Sequence, residues 1–223
     1  MEEAKAQRSW WALVVSGVFH PLLVATYMFL ILMAVNPYLF GVSGLGEKRA
    51  LILLLMIVLY TAVIPLISVG LMRALDMVSS ISMEERSERI GPLLLVMVLY
   101  FWTYYNLSQS NDTPTIFSAF LLGVVIALGV AFAINAVDKI SLHAVGMGGL
   151  TGMMMVTTWY FGAAGLRLGE LTVNLGVLLL ITVILAGLVG TARLRLGAHD
   201  DLQLYVGYAV GFLAQAVGLM IYF

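Results

Sequence analysis

The sequence predicts an all-α integral membrane protein, a bundle of seven (alternatively six) transmembrane helices that forms one domain over residues 1–223. Three observations lead there. Of the 223 residues 62% are hydrophobic and 10% charged, whereas a soluble domain carries roughly 25% charge. The apolar residues gather into runs that can cross a hydrocarbon core about 30 Å thick, which takes about 20 residues per helix. The polar breaks between runs are short, the longest being about 73–91, so no soluble domain fits between them.

The first run covers about Trp10 to Val35 and contains His20-Pro21 without a small-residue cleavage site, so it reads as a retained helix rather than a signal peptide. A turn-rich link beginning Asn36-Pro37 separates it from the second, about Ala50 to Met72. The third starts at Pro92, a good early helical residue, and ends near Asn106; it is short and aromatic, which is why six spans is the fallback. The fourth covers about Thr115 to Val137 and ends at Asp138-Lys139. A Gly- and Met-rich fifth follows from about His143 to Ala164, a sixth from about Leu171 to Thr191, and a seventh from about Leu202 to Phe223. Gly146, Gly148, Gly149 and Gly152 read as close helix packing rather than a phosphate loop, and Met153-Met154-Met155 as adaptable core. Asn106, Asn135 and Asn174, near span ends, read as caps or interface residues.

The net charge of −1 gives no field to attract nucleic acid, and the absence of cysteine removes disulfides and thiolate chemistry together. The few charges are informative by position. Counting seven spans places eight of the eleven Lys and Arg residues on the N-terminal face, mostly in three segments. These are Glu85-Arg86-Ser87-Glu88-Arg89, Lys139-Ile140-Ser141-Leu142-His143, and Arg193 to Asp201, which includes His199. Cations at loop edges ordinarily mark the membrane interface, and Arg73 and Arg195 are read that way. Two of the three histidines beside cations on one face point further, to an anion site with a nucleophile or base and a proton donor at hand. His20, inside the first span, reads as a neutral imidazole bonding a neighbouring helix at least as readily as a functional group.

The segment Arg193-Leu194-Arg195-Leu196-Gly197-Ala198-His199, with Gln203 and Gly207 behind it, resembles the third signature of the type-2 phosphatidic acid phosphatase superfamily, S-R-x5-H-x3-D. Ser141-Leu142-His143 resembles its second signature, P-S-G-H, and Arg86, Arg89 and Pro92 loosely resemble its first, K-x6-R-P. With Phe19-His20-Pro21, the wording is similar to a divergent bacterial branch of small multi-span members, which implies a bacterial plasma membrane. The resemblance implies hydrolysis of a lipid phosphate or pyrophosphate, phosphatidic acid-type or polyprenyl-type, without metal or other cofactor. It implies His199 as the nucleophile that becomes phosphohistidine, and His143 as the proton donor to the leaving oxygen. Arg193, Arg86, Arg89, Lys139 and Ser141 then hold the phosphate. The sequence departs from the pattern at Gln203, where the family's orienting Asp falls, at Ala192 in place of Ser, and at Leu142 in place of Gly. Asp200 or Asp201 is a candidate substitute for the missing carboxylate. A catalytically silent relative that binds or translocates a phospholipid headgroup is the rival expectation.

Overall fold

A computed structural model describes residues 9–79, 87–162, 165–168 and 171–223. Nine α-helices and one hairpin appear among them. The first two helices, α1 (Trp10–Val18) and α2 (Val24–Val35), are halves of the predicted first span, broken at His20-Pro21. Helices α3 (Lys48–Val58) and α4 (Ile64–Ala74) are likewise one span, joined by a wide π turn over Leu59–Val63 just before Pro65. Proline has no N–H to give and its ring crowds the preceding turn, so both spans bend where their prolines stand. Then follow α5 (Ile90–Ser108), α6 (Thr115–Asn135), α7 (Leu142–Phe161), an antiparallel hairpin of β1 (Gly165–Leu168) and β2 (Leu171–Asn174), α8 (Leu175–Arg195) and α9 (Asp201–Tyr222).

Six helical stretches are long and apolar enough to cross a membrane, and the chain is an integral multi-pass membrane protein. Large apolar side chains cover its outside, with Leu55, Ile67, Leu71, Leu180 and Ile184 each more than half exposed, as lipid-facing surfaces require. The 20-residue α7 is not among the six. It is diluted by glycine and threonine, and it packs between α8, α9 and α6, where protein rather than lipid covers it. The glycines read as packing positions act as such. A Cβ at Gly148 of α7 would fall 2.3 Å from the Tyr208 carbonyl oxygen of α9, and one at Gly152 would fall 3.2 Å from that of Phe212.

Two boundaries differ from the sequence reading. Residues 171–174 form a strand, so α8 starts at Leu175, where Asn174 caps it by accepting the Gly176 amide at 2.7 Å. Helix α8 runs on to Arg195, which puts Arg193 and Arg195 in its last turn rather than in a loop. Cations there complement the helix dipole. Asn106 is no cap; it lies within α5 and donates to the Trp102 carbonyl.

At one end of the bundle Phe29, Phe40, Phe117 and Phe120 pack together, with ring centroids of Phe29 and Phe40 5.1 Å apart. Arg49, in the first turn of α3, and Asp112, in the link between α5 and α6, close that end as an ion pair. The other end, where α6 and α8 finish and α7 and α9 begin, holds the candidate site.

Candidate functional site

The break in the first span creates backbone groups with no helical partner, and other side chains take them up. The Ser16 carbonyl would ordinarily accept from the His20 amide, which turns instead to Gly17. His143, at the second position of α7, donates from Nε2 to that Ser16 oxygen at 3.0 Å. Tyr100 of α5 donates to the Leu22 carbonyl at 3.3 Å, and Tyr27 donates to that of Val18. The Leu22 amide donates to Nδ1 of His20 at 3.4 Å, which leaves the His20 proton on Nε2. Because a carbonyl only accepts, the His143 proton in this contact sits on Nε2, and Nδ1 is the nitrogen left over. The rings of His20 and His143 meet edge to face with centroids 5.4 Å apart.

The spacing between Arg193 and His199 has an equally local cause. Gly197 takes a left-handed φ of 62° just past the end of α8. Its amide donates to the Leu194 carbonyl at 2.9 Å, and the Ala198 amide donates to that of Arg193 at 3.1 Å. This is the Schellman termination, for which glycine carries no steric penalty. Asp200 then starts α9 by accepting the Gln203 amide at 2.9 Å. Held between a helix stop and a helix start, His199 is turned back towards Arg193. Its Nδ1 lies 3.0 Å from the side-chain oxygen of Gln203, one helical turn on, and donates to it. Nε2 of His199 is thereby left with its lone pair.

These groups line one cavity of about 400 Å³. Its charged mouth is formed by Arg89, Arg193, His20, His143 and His199, and its interior by apolar residues such as Leu93, Val124 and Leu128. Burial pushes the pKa of His199 down to about 4, and the charges of Arg193, Arg89 and Lys139 act in the same direction against the Gln203 contact. Arg89 and Arg193 also lie close enough to repel each other. Four buried polar atoms in the wall, Nε of Arg193, Oγ of Ser16 and both amide atoms of Gln215, have no hydrogen-bond partner. No group of three His, Asp or Glu among the described residues is arranged to hold a metal ion.

Of the eight residues the sequence singles out, Arg89, His143, Arg193 and His199 line the cavity, and Gln203 supports His199. Ser141 does not line it. It is fully buried as the cap of α7, accepting the Ala144 amide at 3.3 Å. Lys139 is also off the wall and acts on His199 through its charge alone. Arg86 lies outside the described residues. Asp200 is occupied as a cap, so the amide of Gln203 takes the orienting contact. His20, Tyr100 and Gln215, which also line the cavity, have no motif to announce them; the one available signal was a histidine before a proline inside an apolar span.

No protein family, no curated protein and no solved structure matches this chain. The reading of the site therefore rests on its own residues.

Proposed function

We propose that the protein is a membrane-embedded phosphatase that hydrolyses a lipid phosphate or pyrophosphate through a phosphohistidine, as a divergent relative of the type-2 phosphatidic acid phosphatases. The observation that carries this reading is the meeting of His199, its proton fixed on Nδ1 by Gln203, with His143, Arg89 and Arg193 around one cavity. Nε2 of His199 attacks phosphorus in line, and the N–P bond forms as the bond to the leaving oxygen breaks. His143 Nδ1 takes up the proton that a phosphate monoanion brings into the site and passes it to the leaving oxygen, while Nε2 stays on Ser16. Water then attacks the phosphohistidine, His143 Nδ1 takes the water proton, and the His199 nitrogen leaves. Arg193 and Arg89 balance the charge on the equatorial oxygens, and Lys139 adds its field. A site built between membrane helices suits a substrate whose tails stay in the bilayer. The reading also takes α7 as a seventh span and the bacterial plasma membrane as the location.

The test is phosphate release by the purified protein in detergent from phosphatidic acid and from polyprenyl pyrophosphate. His199→Ala is expected to lower release roughly a thousandfold or more. One observation favours a second reading, a silent relative that binds or translocates the headgroup: the Gln203 amide cannot balance an imidazolium as a carboxylate does. Headgroup binding without release from either lipid decides for it.

A further inference from the structure

Deep in the same cavity stands a group that the phosphatase reading does not use. Gln215 of α9 is 1% exposed and lines the cavity wall, yet neither its amide nitrogen nor its amide oxygen has a hydrogen-bond partner. An amide stripped of water and left unpaired in an apolar interior is costly, and in a membrane span such a residue is kept for a reason. The surrounding helices make room for it. A Cβ at Gly123 of α6 would come within 2.6 Å of the Gln215 oxygen, and one at Gly149 of α7 within 3.4 Å of its nitrogen. Gly149 lies six residues along α7 from His143, so the amide sits about 9 Å deeper than the backbone of His143. The wall between them, with Val124, Leu128 and Val145, is apolar.

The geometry points to Gln215 as a specificity-determining residue whose amide pairs with a hydrogen-bonding oxygen, an ester carbonyl or a hydroxyl, on the backbone of the bound lipid. This rests on the reading that places the phosphate at the mouth. From there, a glycerol or sphingoid backbone carries its oxygens several bonds further in, towards the amide. A polyprenyl chain is hydrocarbon beyond its first carbon and leaves the amide unpaired. A site built to pair a polar group rejects the analogue that lacks it.

The experiment measures binding by native mass spectrometry in competition among a diacylglycerol phosphate, a sphingoid base phosphate and a polyprenyl phosphate. It compares the wild-type protein with Gln215→Met, which keeps the volume and removes the hydrogen bonds, and with Gly123→Ala, whose added methyl meets the amide first. The wild-type protein is expected to bind at least one oxygen-bearing lipid about tenfold more tightly than the polyprenyl phosphate. Whichever of the two wins identifies the oxygen as carbonyl or hydroxyl. Both variants are expected to bring that ratio near one, and Gly123→Ala decides if Gln215→Met does not fold. No preference in the wild-type protein, or an unchanged ratio in the folded variants, overturns the assignment; the second result is what a trapped water on Gln215 would give. Binding needs no turnover. Selective binding without phosphate release overturns the phosphatase reading alone, and release with unchanged selectivity overturns this inference alone.

Discussion

The two ends of the bundle use similar residues to opposite effect. At one end Arg49 of α3 meets Asp112 of the link between α5 and α6, above a cluster in which Phe29, Phe40 and Phe117 fill the space. At the other, Arg193 keeps a buried Nε without a partner and faces a cavity with His20, His143 and His199. A cation that already has its carboxylate at a filled end is fastening the fold. A half-buried cation with no carboxylate partner among the described residues, facing open space, is instead placed to meet an anionic ligand. Pairing, rather than the mere presence of arginine, distinguishes a structural end from a functional one.

Removing one charge from each end probes that distinction. Arg193→Ala is expected to lower phosphate release about a hundredfold while the protein stays folded, measured as kcat/KM together with melting temperature. A fall in stability with unchanged turnover would move Arg193 to the structural side. Gln203→Asp restores a carboxylate behind His199 and is expected to raise turnover about tenfold if the site is a weakened enzyme. A headgroup binder gains nothing from it, so a rate assay on this variant separates the two readings. The acid titration of His199 tests how dry this end is. Its pKa of about 4, against the ordinary 6.5, keeps the ring neutral where an exposed imidazole is mostly protonated. A histidine-acylating reagent is therefore expected to modify it nearly as fast at pH 5.5 as at pH 7. The sign for folding is the same: between pH 6.5 and about 4 the unfolded chain takes up a proton that the folded one refuses, so melting temperature falls as the pH drops through that window. The smallest effect belongs to the filled end. Arg49→Ala breaks a pair that is about half exposed on the arginine side, and is expected to cost less than about 1 kcal/mol in stability and nothing in turnover.

The parts of this arrangement that were legible in the sequence are those with a short-range cause. Hydrophobic runs locate the helices because lipid demands them, and the Arg193 to His199 spacing is a local stop, turn and cap that operates within eleven residues. The rest depends on partners distant in the chain. His20 looked as much like packing as like chemistry because its place is decided by carbonyls freed at Pro21 and by a ring on α7. Ser141 looked like a phosphate ligand because a cap and a ligand use the same hydroxyl, and only burial tells them apart. Gln215 gave no signal at all, since one amide in an apolar run acquires meaning only from the cavity beside it.

The broken first span has a consequence for how the protein is made. This span leaves the ribosome before α5 and α7, yet the carbonyls of Ser16 and Leu22 find their partners on His143 and Tyr100, more than seventy residues later in the chain. Until α5 and α7 arrive, the segment around Pro21 carries polar backbone that the hydrocarbon core cannot satisfy. The two hydrogen bonds that complete the first span are therefore made only when the helices that supply them have followed it into the bilayer.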